Sequence, residues 1–347
     1  MIRAHGYAAH EPGGALVPFA FTRRDPGPGD VVLRITHCGI CHSDERAVSG
    51  WMPSAFPLVP GHEIIGEVTA VGADVRRFRG GDRAGVGCLV DSCRACPACD
   101  AGDEHACHQR ATPTYGGRDR ITGEPTQGGY ADVLVVDERY ALRVPSALDP
   151  AGAAPLLCAG ITTYSPLRHW GVGPGHVVGV AGLGGLGHLG VKFAKAFGAE
   201  VVVLTTSAGK AAAAIELGAD RVVVSTSREQ MRAAAGSLDF LLDTVSAPHD
   251  VNAYLSTLRR DGTLCLLGIP AEPFGITALR LIGGRRSLTG SAIGGIRETQ
   301  EMLGFCAEHG ISTDVELIRP DRIGEAFDRM LHSDVRYRFV LDLGSPN

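Results

Sequence analysis

No basic block or stripe interrupts this chain, whose formal net charge is −5. A nucleic acid or an anionic membrane therefore has nothing to hold. No apolar run reaches the length of a membrane span. The opening "MIRAHGYAAH" lacks both a positive head followed by an apolar run and a small-residue cleavage site, so a soluble, cytoplasmic protein is expected. Internal repeats and low-complexity tracts are also missing, and "KAAAAIELGA" is Ala-rich only in the manner of an ordinary helix. In a reducing compartment the ten cysteines read as thiols or metal ligands rather than disulfides. At 347 residues the chain is long for one core and comfortable for two domains.

The rhythm changes near residue 150. Before it, short alternating runs such as "VVLRITHCGI" and "HEIIGEVTAVGADV", bounded by Gly, Pro and Asp, predict strands of a compact β-rich domain over 1–150. After it, "HVVGVA", "EVVVLTT", "DRVVVS", "LDFLLDT" and "GTLCLLG" are apolar runs separated by helix-length segments. That pattern predicts an α/β domain over 151–290 with a parallel, doubly wound sheet, and "RSLTGSA" closes it as a sixth strand. The stretch 291–347 breaks the alternation and is assigned back to the first domain.

Gly182, Gly184 and Gly187, with Gly185 and Leu186 between them, form G-x-G-x-x-G after a predicted strand and at the start of an Ala-rich helix. Glycine permits the tight turn, the close approach of backbone to a pyrophosphate, and helix-on-strand packing, while the helix N-terminus offers N–H groups to phosphate oxygens. This context predicts a dinucleotide site; the competing reading is a Gly-rich turn in an unliganded α/β domain. At the end of the next strand an acid would favour NAD, but the chain has "LTTSAGK". Thr205, Thr206 and Ser207 offer neutral hydroxyls and Lys210 a positive charge, a set suited to the 2'-phosphate of NADP(H). Alternatively, Ser207 caps a helix and Lys210 is a solvated cation.

Two sets of residues suggest metal. Cys41, His62 and Cys158 would make a Cys2His set that leaves one tetrahedral position open for water or substrate, as catalytic zinc requires. Spacing alone is weak there, because lone buried Cys or His residues usually pack. Support comes from neighbours: Glu63 beside the histidine, Ser43 two residues after Cys41, and Asp44 placed to orient a ligand histidine. Cys93, Cys96, Cys99 and Cys107 have C-x2-C-x2-C-x7-C spacing, a strong signal for a closed four-thiolate site that iron–sulfur clusters could also use. Cys38, Cys88, Cys265 and Cys306 are expected to pack as small apolar residues.

The ordered series "CGICHSDE", "PLVPGHEIIGEV", "GDRAGVGCLVDSCRACPAC", "GGYADVLVVDERY", "PLLCAGITTYSPL", "VAGLGGLGHLGVKFAKAFGAEV", "LDTVSA", "GSAIGGIRETQEML" and "DVRYRFVLD" resembles the zinc-dependent medium-chain dehydrogenases, in their cinnamyl alcohol dehydrogenase-like branch. The resemblance runs nearly end to end. It implies a GroES-like catalytic domain with a Rossmann domain, a homodimer, two zinc ions per subunit, and NADP(H)-dependent interconversion of primary alcohols and aldehydes. By position it implies Cys41, His62 and Cys158 as catalytic zinc ligands, with Glu63 as an occasional one, and zinc rather than iron–sulfur at the four cysteines. It also implies His42 near the cofactor pyrophosphate and Thr162 near the nicotinamide. In that chemistry the Ser43 hydroxyl stabilises a developing alkoxide and passes on a proton.

Two positions depart from the branch. Where its members usually carry a histidine that ends the proton relay, this chain has Arg46, which stays protonated near neutral pH and cannot shuttle protons. Water could take over, the reaction could need the relay less, or Arg46 could bind an acidic group on substrate or cofactor; it could equally be a solvent-facing arginine. Ala292 replaces an aromatic found in several plant relatives, so the substrate pocket, expected to include Trp51, Met52, Tyr115 and Ile293, is differently shaped. Three functions compete: aldehyde reductase, hydride transfer to an iminium or conjugated alkene, and a nucleotide-binding sensor without turnover.

Overall fold

The structure is a computed structural model and describes residues 1–344. The chain forms two compact units, Met1–Ile161 with Gly294–Asn347, and Thr162–Ile293.

The first unit is built on a seven-stranded sheet in which Asp30–Gly39 is central. It pairs antiparallel with Ile64–Val71 on one edge, and on the other with Val133–Asp137 and Arg338–Asp342 in succession. Val31, Leu33 and Ile35 lie almost wholly buried in this strand. The last strand comes from the far end of the chain. Gly39 has a steric reason to lack a side chain: a Cβ there would sit 1.9 Å from Glu63 Oε2.

The boundary differs from the expected residue 150. Helical segments Pro150–Ala153 and Ala154–Leu157 pack on Asp30–Gly39, and Thr313 N–H donates to Gly152 O at 3.1 Å, so these residues belong to the first unit. Their Ala- and Leu-rich composition reads locally like the α/β part, while their burial partners lie in the β-rich part. The helix Ala159–His169 carries the chain across the boundary at 161/162, and the return falls at 293/294 instead of 290/291.

The second unit holds all six expected strands in one parallel sheet. Their order is Arg221–Val224, Glu200–Thr205, Val177–Ala181, Leu238–Asp243, Leu258–Leu266, Ser287–Gly290. Val178, Val180, Val201, Val203, Leu204, Leu241 and Leu242 are essentially inaccessible to solvent. Unbroken apolar runs are what a sheet covered on both faces requires. The first and fourth strands of the unit are neighbours, pairing Ala181 with Asp243. Strand order reverses there, and in such sheets ligands bind outside the carboxyl ends of the strands at that reversal.

Candidate metal and dinucleotide sites

Cys41 is the N-cap residue of the short helix His42–Val48, so its sulfur stands at the helix start with Ser43 two residues on, in the first turn. The Cys41 Sγ and Ser43 Oγ are 3.7 Å apart. The structure brings Cys41, His62, Glu63 and Cys158 together in the first unit, all buried, with one donor atom of each within 4.8 Å of the others. Asp44 organises the group from behind. Its fully buried carboxylate accepts from Cys41 N–H at 2.8 Å, Gly61 N–H at 3.1 Å, the Tyr130 hydroxyl at 3.0 Å, and His62 Nδ1 at 3.1 Å. Nδ1 must donate in that bond, which leaves Nε2 as the lone-pair nitrogen available to a metal.

Two features of this cluster were not legible beforehand. Arg338 forms a buried ion pair with Glu63 Oε1. Burial nevertheless pushes the Glu63 carboxyl up to about 7 against the pull of Arg338. Glu63 Oε2 accepts no hydrogen bond from any described residue, a costly condition that a cation would relieve. Cys88, expected to be mere packing, instead lies beside Cys158. The sulfur of Cys158 beside Cys41 and Cys88 favours the thiolate form of those two, whose thiols lie below the usual range, and raises its own. Cys265 and Cys306 do behave as packing, with burial pushing both up to about 12. The donor set of two thiols, an imidazole and an orphaned carboxylate oxygen fits zinc.

The four-cysteine lobe is a separate site in the same unit. Its sulfurs also lie within 4.8 Å of one another. The Cys93–Cys99 and Cys96–Cys99 separations are 3.8 and 3.6 Å. Tetrahedral thiolates at Zn–S ~2.3 Å have edges of about 3.8 Å, whereas a disulfide would need about 2.05 Å. Backbone N–H groups of Cys93 and His108 donate to Cys107 and Cys96 sulfurs, both at 3.4 Å. Hydrogen bonds from the Cys99 and His108 backbone bring the Cys96 thiol down to about 6. The residues present fit a closed four-thiolate metal.

In the second unit Gly182 adopts φ +88°, and a Cβ on Gly187 would lie 2.0 Å from Gly182 O. A Cβ on Gly184 would meet nothing within 4 Å, so the backbone there faces open space with no side chain in the way of a ligand. Gly185 and Leu186 complete the turn into the helix Gly187–Ala196. Thr205 is buried at the end of its strand, and Thr206, Ser207 and Lys210 are exposed beyond it. Ser207 stands at the N-cap position of the turn Ala208–Lys210 but its side chain makes no cap. Lys210 Nζ reaches back to Leu183 O at 3.4 Å, which sets its charge beside the glycine-rich turn. Thr162 opens this unit, buried in the helix Ala159–His169.

The remaining expected site residues fall in both units. His42 is exposed at the start of its helix. Arg46 stacks its guanidinium over Trp51 at 4.6 Å, and Trp51 and Met52 are 50% and 39% exposed. Tyr115 is buried with Ala47 and Leu58, its ring 5.5 Å from that of His62. Ala292 and Ile293 belong to the second unit, Ala292 exposed and Ile293 at φ +45°.

The alcohol dehydrogenase GroES-like domain matches residues 27–146, and the zinc-binding dehydrogenase model matches 185–308. The aldehyde reductase YahK of Escherichia coli (strain K12) is 52% identical over 345 residues, covering 98% of both chains. A cinnamyl alcohol dehydrogenase of Sorghum bicolor superposes with a TM-score of 0.96 at 44% identity, covering 99% of each. The CAD of Helicobacter pylori, solved with NADP(H), superposes with a TM-score of 0.94 at 38% identity, covering 100% of this chain and 99% of the other. The matches span both units and meet the expectation drawn from the motifs: the chain belongs to the zinc-binding alcohol dehydrogenases, among their cinnamyl alcohol dehydrogenase-like members.

Proposed function

We propose that the protein is a zinc-dependent NADP(H) oxidoreductase interconverting primary alcohols and aldehydes, acting as an aldehyde reductase on aromatic, allylic or aliphatic substrates. The observation that carries this reading is the buried Cys41, His62 and Cys158 cluster with a hydroxyl, Ser43, at its edge. Cys41, His62 and Cys158 would hold the catalytic zinc, Glu63 would exchange as a ligand, and Cys93, Cys96, Cys99 and Cys107 would hold a second zinc. When bound, the catalytic zinc supplies Lewis-acid polarisation of a carbonyl, and the nicotinamide supplies hydride. The chain's own residues do the rest. Asp44 fixes the tautomer and orientation of His62, Ser43 delivers a proton to the substrate oxygen, and Arg338 holds one oxygen of Glu63 while leaving the other free. The turn at Gly182, Gly184 and Gly187 would receive the pyrophosphate, Thr162 would lie near the nicotinamide, and Thr205, Thr206, Ser207 and Lys210 would receive the 2'-phosphate, with His42 the candidate cofactor contact of the first unit. Trp51, Met52 and Tyr115 in the first unit, and Ala292 and Ile293 in the second, are the candidate substrate-contacting residues. The working form is a cytoplasmic homodimer.

Arg46 supports a second reading, hydride transfer to an iminium or conjugated alkene, because its guanidinium, stacked on Trp51, cannot act as the terminal proton shuttle. The intact ligand cluster speaks against a sensor without turnover. NADPH oxidation against cinnamaldehyde, benzaldehyde and aliphatic aldehydes, with NADH in parallel and a chelator-treated control, tests the proposal. Chelator-sensitive turnover preferring NADPH is expected. No turnover on any aldehyde, by protein that contains two zinc ions and binds NADPH, would overturn it.

A further inference from the structure

At the carboxyl end of the fourth strand of the parallel sheet sits a histidine that the proposed chemistry does not use. His249 Nε2 lies 2.8 Å from Asp243 Oδ2, and His249 Nδ1 lies 2.8 Å from the carbonyl oxygen of Ala247. A backbone carbonyl can only accept a hydrogen bond, and an ionised carboxylate can only accept one. Both ring nitrogens must then donate, which a neutral imidazole cannot do. The side chains are 11% and 1% exposed, so water is a poor substitute for either partner.

The same three groups tie down a loop. Asp243 Oδ1 accepts from Val245 N–H at 3.1 Å, so carboxylate and ring together pin residues 243, 245, 247 and 249. The pinned loop presses on the glycine-rich turn: Thr244 donates from its hydroxyl to Ala181 O at 2.7 Å, and a Cβ on Gly182 would meet Thr244 Oγ1 at 2.9 Å and Val245 Cγ2 at 3.2 Å. Asp243 pairs with Ala181 across the reversal of strand order, where dinucleotides bind in sheets of this kind.

We propose that His249 is an imidazolium that locks the loop 244–250 against the glycine-rich turn, and is thereby a positioning residue for the dinucleotide whose affinity depends on its proton. This rests on the cofactor reading above. The charged groups acting on the ring are Asp243 at the strand end and Asp250 in the loop, and the other titratable neighbour is Tyr254, whose ring is 5.3 Å away. The Asp243 hydrogen bond leads the causes that raise His249 above its ordinary 6.5. A raised histidine contributes fully at pH values below the unfolded one and loses its contribution as pH climbs through the folded one. The lock is therefore closed below the ordinary histidine value of 6.5 and opens as pH climbs through the raised, folded one. By reciprocity, bound dinucleotide raises the histidine further.

Fluorescence titration of NADPH into the full-length protein from pH 6 to 9, for wild type and His249→Gln, reads this directly. Wild type should bind roughly tenfold more weakly past the alkaline step, and His249→Gln should bind weakly throughout with that step gone. Titration of the 2'-phosphate is common to both proteins and cancels in the comparison. Parallel profiles would overturn the proposal. Failure of wild type to bind NADPH at any pH would overturn the cofactor reading along with it. Should the variant misfold, side-chain nitrogen NMR of wild type decides: two protonated ring nitrogens on His249 at pH 7 support the lock, and a neutral ring sinks it.

Discussion

Ser43 and Asp44 stand next to each other in the chain and are placed for opposite duties. Ser43 is half-buried with its hydroxyl at the sulfur of Cys41, and the proposed mechanism has it deliver a proton. Ser43→Ala should cut kcat by roughly 10² or more while leaving zinc content intact, as measured by steady-state kinetics beside metal analysis. Unchanged turnover with chemistry rate-limiting would remove the hydroxyl from the mechanism. Asp44 never meets substrate: it is fully buried and accepts from four donors. Asp44→Asn turns an amino group toward donors that then lack an acceptor. The expected cost is about 2 kcal/mol or more in urea denaturation, with zinc affinity down roughly 10- to 100-fold. Asp44 could be suggested as the orienter of a ligand histidine because a carboxylate three residues after a candidate ligand cysteine is the residue type that role needs. Arg338 could not be read in that way, since its partner Glu63 is 275 positions distant and no local pattern marks a buried ion pair. Cys88 was misread for a related reason: a thiol with no spacing to its neighbours looks like packing until the fold sets it beside Cys158.

Among the elements, the central strand Asp30–Gly39 carries its own acid sensitivity. Asp30, at its first position, is buried, and although burial opposes ionisation, the Arg24 guanidinium and Gly27 N–H hold its carboxyl below the usual 3.8. A carboxyl lowered on folding adds stability above its unfolded pKa and loses it as pH falls through the lower, folded one. Asp30→Asn should therefore be less stable than wild type at pH 7, with the gap closing as pH drops below about 3.8, by urea midpoints at each pH. The cysteine lobe is a second self-contained element. Cys99 contacts both Cys93 and Cys96 sulfurs, so Cys99→Ser should lose the zinc proposed for this lobe and lower Tm by roughly 5 °C or more, with turnover per catalytic zinc largely kept. A stable variant with both zinc ions would contradict that. The six parallel strands were readable because each is a short apolar run with turn residues at both ends. The segment 150–161 was not, because its composition matches one unit and its burial partners lie in the other.

For the whole molecule, the division of labour follows the division of the chain. Every member of both candidate metal sites lies in the first unit, and the glycine-rich turn with Lys210 lies in the second. Chelation should thus abolish turnover while NADPH binding, followed by fluorescence, stays within a few-fold of the untreated protein; loss of both together would argue against this separation. The buried ion pair between Glu63 and Arg338 also has a history during synthesis. A translating ribosome adds about 5–20 residues per second, so the carboxylate waits roughly 14 to 55 s for a guanidinium made 275 residues later. Throughout that interval the strand Arg338–Asp342 is missing from the central sheet, and within it the whole of the second unit is made. The nascent chain finishes the inserted unit first and closes the metal-bearing one last.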